Sequence, residues 1–352
     1  GTNGTVFFFF VLYRDSSTLH LSNGQVWLQG ELNARIKRYG AFEILKIDGS
    51  YNKVSNLQFM GNKATYPFPS FPRAALVLIT GDFNIISDNQ IEDGNSHGIL
   101  FRTGGAPQFN LVQGNIVLNC EEVGIAHDGG VDNRILGNHV SGCGFEGITL
   151  DQSSHRCIVD GNRLNANCKS GGVGSIGVDW TDLCVISNNV ITASGTLSGI
   201  TFQNNRGPSN KNVISGNVFV DNLAYGVWLK NNTGGTCNDN VITGNMFGAS
   251  GSIKIDSNCQ RNILSGNSYT AFPDVHADSY CRVDNALVNF YAQNTVTRSN
   301  VTGDGTAYKI PYNKIIQDRN IASTSSFNTT TGVFTAPITA NYTFSAGVLT
   351  QS

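Results

Sequence analysis

Short stretches that alternate apolar and polar residues recur down this chain, and each is closed by Gly, Asn or Asp. One such phrase reads GILFR at Gly98, GIAHD at Gly124, GITLD at Gly147, SIGVD at Ser175, GITFQ at Gly199, GVWLK at Gly226 and SIKID at Ser252. Alternation of period two is the pattern of a strand with one buried face. The second residues, Ile99, Ile125, Ile148, Ile176, Ile200, Val227 and Ile253, are β-branched and are expected to point inward. The fourth, Phe101, His127, Leu150, Val178, Phe202, Leu229 and Ile255, share that parity. The first, third and fifth then face outward.

A second phrase, Gly-Asn or a near equivalent, returns at Asn62, Asn89, Asn115, Asn138, Asn162, Asn189, Asn217, Asn245 and Asn267. By subtraction the steps are 27, 26, 23, 24, 27, 28, 28 and 22 residues, the same period as the first phrase. Five residues before each lies a third column, Asn84, Asn110, Asn133, Cys157, Cys184, Asn212, Asn240 and Asn262. Asparagine tolerates left-handed turns and can hydrogen-bond along a stack, so these columns read as structural ladders. A fixed period of this length is the mark of a solenoid, in which each repeat buries its apolar face only against its neighbours. Strands of this kind joined by turns predict an all-β fold, a right-handed parallel β-helix of about ten rungs stacked about 4.8 Å apart. It is expected over residues 1–284, with Thr5–Tyr13 as a buried strand of the first coil and Leu21–Leu28 and Lys53–Phe59 as further early strands.

Composition agrees: 40 Gly against 8 Pro, 2 Met and 14% charged residues favour turn-rich β structure. The net charge of −2 offers no basic field for nucleic acid. No apolar run approaches the roughly 20 residues of a membrane-spanning helix. The eight cysteines form no CxxC pair and read as small buried hydrophobes rather than disulfides or a metal site. The chain opens on Gly1 rather than Met, as a mature or excised fragment would.

Candidate chemistry lies on the outward columns. The fifth is Arg102, Asp128, Asp151, Asp179, Gln203, Lys230 and Asp256, with three aspartates on successive rungs. The third is Leu100, Ala126, Thr149, Gly177, Thr201, Trp228 and Lys254, smallest beside the aspartates. Together they predict a shallow trough floored by small residues, lined by carboxylates and walled by Trp228, Trp180 and Tyr225. Stacked carboxylates repel, so one is expected to keep its proton to higher pH, and a protonated acid beside an ionised partner is what glycoside hydrolysis uses. Adjacent rungs place carboxylates near the spacing of about 5 Å used by retaining enzymes, and alternate rungs near the wider inverting spacing. Asp128, Asp151, Asp179 and Glu146 are the catalytic candidates; Arg102, Trp180, Gln203, Trp228, Lys230 and His155 are the candidates for contacting substrate. The plainer readings are solvated aspartates, a solvated turn for Glu146, a satisfied core position for His127 and a surface turn for His155 and Arg156. No cofactor is implied; calcium on the aspartate ladder is the alternative use of those carboxylates.

The GTVFFF start and the GN-rich coils resemble the pectate-lyase-like β-helix superfamily, which includes phage tailspikes and secreted polysaccharide-modifying proteins. Polygalacturonases of that fold use three aspartates, but their surrounding motifs are missing here and their roles are not carried over. After about Asp284 the period stops. Residues 285–352 contain Gly303–Gly305 (GDG) and GVFTAPITANYTFS over Gly332–Ser345, which is similar to the complement and tumour-necrosis-factor jelly-roll signature at Gly332, Phe334, Pro337, Tyr342 and Phe344, with the segment ending short of a whole domain. These resemblances imply a homotrimeric spike or fibre in a virion tail or an extracellular setting, with polysaccharide as its partner. The enzyme reading is hydrolysis of a bacterial surface polysaccharide. Its rivals are a non-catalytic adhesin or structural fibre, and a lyase or C5-epimerase acting on uronic acids.

Overall fold

The Gly-Asn phrase forms a corner. Asp88, Gly114, Gly137, Gly161, Asn188, Gly216, Gly244 and Gly266 have φ between 54° and 66°, and each immediately precedes a ladder asparagine. Glycine takes this left-handed conformation without a Cβ penalty, which is why it dominates the position. The asparagine itself is not left-handed, contrary to expectation. Its side chain turns inward: Asn189 Oδ1 accepts from the Asn162 N–H (2.9 Å) and Nδ2 (3.0 Å), while Asn189 Nδ2 donates to Val159 O (3.0 Å) and Asn217 Oδ1 (2.9 Å). The same contacts repeat from Asn89 to Asn267. Asn62 is not part of this ladder. Gln58 pairs with Gln90, so Leu57 occupies the ladder position, and its N–H donates to Asn89 Oδ1 (3.0 Å). An insertion of uneven length between these coils hid the true register.

In the computed structural model, residues 4–283 are described except for short stretches (9–11, 16, 32–33, 41, 68–69, 71–73, 103–105, 193–196, 222–223, 233–234, 249–251, 270–272, 277–278 and 280), together with 289–293, 314–319, 327–328, 330–331 and 333–334. Three parallel sheets of 12, 10 and 12 strands wrap one lumen, each strand pairing with its equivalents one coil before and after. The lumen is filled by stacked side chains such as Ile86, Val112, Ile135, Val159, Ile186 and Ile214, all at most 1% exposed. All eight cysteines are buried free thiols, as the sequence implied.

The first coils differ from expectation in detail. Thr5–Tyr13 is not one buried strand: strands run Gly4–Phe8 and Leu12–Asp15 in different sheets, and Val6, on the first strand of its sheet, is 47% exposed. Leu21–Leu28 and Lys53–Phe59 are likewise each divided by a turn, between Leu19–Leu21 and Val26–Gly30 and between Lys53–Ser55 and Gln58–Met60. Beyond the coil, Asn289–Gln293 pairs antiparallel with Lys314–Arg319, and Phe327–Asn328 with Val333–Phe334. Gly303–Gly305 and, apart from Val333 and Phe334, the jelly-roll signature lie outside the described residues.

Candidate active site

The third sheet carries the aspartates. Its strands Ile99–Arg102, Ile125–Val131 and Ile148–His155 pair so that Arg102 faces Asp128 and Asp128 faces Asp151. The column continues by backbone hydrogen bonds: the Asp179 N–H donates to Leu150 O (2.9 Å), Gln203 to Val178 O (2.8 Å), Lys230 to Phe202 O (3.0 Å) and Asp256 to Leu229 O (3.0 Å). The three carboxylates therefore stand on successive strands of one face. Each aspartate is followed by a left-handed residue, Gly129 (φ 86°), Gln152 (φ 52°) and Trp180 (φ 57°), so the backbone turns away directly behind each carboxylate.

A residue the sequence reading passed over sits across them. Arg206, from the turn after Gln203, places its guanidinium against the Asp151 carboxylate, and its backbone N–H donates to Asp179 Oδ1 (3.2 Å). Gly207 lets this turn close down on Trp180, since a Cβ there would fall 2.4 Å from Trp180 Cδ1. Asp179 is left only 7% exposed, so it anchors the turn rather than facing solvent. Only the greater length of this turn hinted at such a role.

Glu146 is not a solvated turn residue. It is 8% exposed, and its Oε1 accepts from the Val173 N–H (2.7 Å). Its side chain lies over Gly177, where an added Cβ would fall 3.1 Å from Glu146 Cγ. The floor of small residues is therefore partly covered. Leu100 (5% exposed) and Ala126 (1%) are packed with Val123 and Phe145 in a second apolar cluster, which closes the trough before Asp128.

Burial, and then the Asp151 charge, push the Asp128 carboxyl up to about 6, against the pull of Arg206, His127 and Arg102. Burial raises Asp179 and Glu146 as well. Asp151 is the member of the column held by a guanidinium, and its bond raises the pKa of Arg206.

The remaining candidates separate. His127 is a satisfied lumen residue: Asn133 Nδ2 donates to its Nε2 (2.9 Å), so Nδ1 carries the proton toward Ser154 Oγ (2.6 Å). His155 pairs with Val131 and Asp182 beyond the bulge, and Arg156 makes a bidentate pair with Asp132 (2.8 and 2.9 Å) at the next corner. Neither joins the aspartates. Gln203 accepts from Asn205 Nδ2 (2.7 Å). Trp180 is 39% exposed on the rim, and Trp228 packs edge-on to Tyr225 with ring centroids 5.5 Å apart.

The raised Asp128 has a consequence that does not depend on any reaction. Its folded-state pKa exceeds the unfolded value of 3.8, so its stabilising contribution is complete below about pH 4 and is lost as pH rises through about 6. A two-unit shift corresponds to about 3 kcal/mol, reduced to about 1–2 kcal/mol for a half-buried carboxyl. Asp128→Asn is expected to unfold at higher urea than the native chain at pH 7.5 and to match it at pH 4. A native-like pH dependence in Asp128→Asn would contradict the assignment.

Comparison with known proteins now bears on this geometry. Residues 36–177 and 132–294 match the family described as periplasmic copper-binding protein (NosD), two overlapping spans that together cover most of the coil. The chain belongs to the NosD family. A comparison with curated proteins gives no match. Among solved structures, this NosD-family chain is similar to the A-module of a mannuronan C-5 epimerase from Azotobacter vinelandii, with 15% identity, a TM-score of 0.54 and coverage of 80% of this chain and 89% of that one. It is also similar to the enzymatically active domain of tailspike protein 2 from bacteriophage CBA120 (12% identity, TM-score 0.56, 80% and 47% covered), spanning about half of that chain. An alginate lyase from a Paenibacillus species gives 15% identity, a TM-score of 0.51 and coverage of 72% and 91%. These likenesses establish the fold, a right-handed parallel β-helix.

The NosD description names copper, and the residues do not fit it. Among the described residues no group of three His, Cys, Asp or Glu side chains is placed to hold a metal ion. Where His127 Nε2 approaches Cys157 Sγ, at 3.7 Å, both are buried in the lumen, and that nitrogen is already engaged by Asn133. Of the aspartate ladder, Asp151 is bound to Arg206.

Proposed function

We propose that this protein is a carbohydrate-active enzyme that hydrolyses a bacterial surface polysaccharide on the aspartate face of its third sheet. One observation carries the reading: Asp128, a carboxyl that holds its proton to about pH 6, stands in register with Asp151 on the next strand. Adjacent strands lie about 4.8 Å apart, close to the separation of retaining glycosidases. Asp128 protonates the leaving glycosidic oxygen while the Asp151 carboxylate attacks the anomeric carbon and forms a glycosyl ester. Water then attacks that carbon, Asp128 takes the proton from the water, and Asp151 leaves as carboxylate. Arg206 pairs with and orients the Asp151 carboxylate, and Asp179 positions Arg206. Glu146, buried beside the pair, excludes water from the floor.

A tailspike-like or other extracellular setting, and assembly as a homotrimer, belong to the same proposal; they are supported by the likeness to a tailspike domain and by a family described as periplasmic. No helix among the described residues is long and apolar enough to cross a membrane. Because Arg206 also places a cation where a uronate carboxylate could be neutralised, a lyase or epimerase is the second reading.

The test is incubation with neutral and acidic capsular polysaccharides. New reducing ends without ultraviolet absorbance support hydrolysis. An ultraviolet-absorbing unsaturated product moves the assignment to a lyase. Binding without cleavage of any polymer leaves the adhesin reading.

A further inference from the structure

Further along the same outer face the chemistry changes sign. Thr201 pairs with Trp228, and Trp228 with Lys254, so indole and ammonium stand on consecutive strands. Lys230 Nζ lies 4.1 Å from the Trp228 ring centroid and Lys254 Nζ 4.8 Å from it; Lys254 Nζ also lies 5.3 Å from the Tyr225 ring. Two ammonium groups thus share one indole. Cation–π contact accommodates such charges but does not neutralise them.

Neither lysine forms an ion pair among the described residues, whereas Arg156, Arg206 and Arg261 on the same coil all do. Asp274 faces Lys254 on the next strand without forming an ion pair with it, and the acid that follows Lys230 in its own column is Asp256. It pulls on Lys230, but its Oδ2 accepts from the Asn231 N–H (3.4 Å). Burial and the neighbouring Lys254 both disfavour the charge on Lys230. Trp228 Nε1 is buried and has no hydrogen-bond partner. Beside the platform opens a cavity of about 330 Å³, on whose wall Lys254 and His276 stand with the carboxylates of Asp256 and Asp274, so the cationic ground is the platform itself and not the cavity. Two half-buried ammonium groups on one indole, neither held in an ion pair among the described residues, form a site for an acceptor carrying negative charge.

We propose that Lys230, Lys254 and Trp228 form a subsite for an anionic sugar unit of the polysaccharide, three to four strands from Asp151. The sugar ring lies against the indole, and its carboxylate or sulfate lies between the two ammonium groups. At about 4.8 Å per strand, Lys230 stands about 14 Å from Asp151 along the face, so the subsite selects the polymer without touching the bond that breaks. This inference rests on the polysaccharide reading, and not on hydrolysis as against elimination.

The experiment is calorimetric binding to the Asp128→Asn protein, with each probe checked after the titration to be uncleaved. The probes are polyuronate, polysialate and sulfated oligosaccharides, each paired with a charge-free counterpart (carboxyl-reduced or desulfated). At least one anionic probe is expected to bind about tenfold more tightly than its neutral partner, with affinity falling as salt rises. Adding K230Q and K254Q together should remove that tenfold preference and the salt dependence, with binding of the neutral partner kept. Trp228→Ala should weaken both members of the pair. Equal binding of charged and uncharged partners, or an unchanged preference in the double lysine variant, overturns the subsite while leaving the polysaccharide reading in place. No binding to any probe or counterpart overturns both. The lysines are surface-facing, and unfolding monitored by circular dichroism confirms that the variants remain folded.

Discussion

Asp128→Asn is expected to lower turnover on the susceptible polysaccharide by about 10²–10⁴-fold, the usual contribution of a positioned general acid. The substitution removes the proton that the leaving oxygen requires and keeps the shape of the side chain. In the native protein the rate should fall as pH rises through about 6, because Asp128 must be protonated for the first step. Asp128→Asn should lose this alkaline limb. Asp151→Ala should also be inactive, and azide supplied as an external nucleophile should restore product of inverted configuration, since it attacks from the face that Asp151 occupies. Reducing-end assays and the anomeric configuration of the first product, read by NMR, check these outcomes. An Asp128→Asn enzyme within tenfold of native activity removes Asp128 from the mechanism. A first product of inverted configuration from the native enzyme rules out the adjacent pair as acid and nucleophile.

The largest effect on stability is expected at the asparagine ladder, for Asn189→Leu. Leucine fills a similar volume but cannot pair. The Asn162 N–H loses its partner, and Val159 O and Asn162 Nδ2 each lose one, all in the buried interior. Each orphaned buried polar group costs about 1–3 kcal/mol, so the change should cost about 3–5 kcal/mol. Its neighbour is the control. Asn188 is exposed and left-handed (φ 54°), and six of the seven other corner positions named above carry glycine, Asp88 being the exception. Asn188→Gly should stay within about 0.5 kcal/mol of native. Urea unfolding of the two variants separates the ladder from the corner. Similar midpoints for both would mean that the ladder adds nothing beyond the strand hydrogen bonds.

Most of the coil was legible because a parallel β-helix makes orientation local. Within GITLD, period-two alternation sends Ile148 and Leu150 inward and Asp151 outward whatever the rest of the chain does, and the ladder asparagines fix which residues stack. The alignment of Asp128, Asp151 and Asp179, and the buried free state of the cysteines, followed from that alone. The reading failed where spacing ceased to be periodic: Asn62 was placed in a ladder that Leu57 occupies, because the two coils there differ in length.

The linear chain by itself determined the rungs, the inward and outward columns and the acidic face, since these depend only on alternation along a strand and on repetition between strands. Tertiary structure alone decided that Arg206 crosses to Asp151, that Glu146 folds over Gly177, and that Lys230 and Lys254 meet on Trp228. Those contacts are made by turns and long side chains reaching between coils. Their direction is set by packing against neighbours far away in sequence, which no repeating pattern encodes.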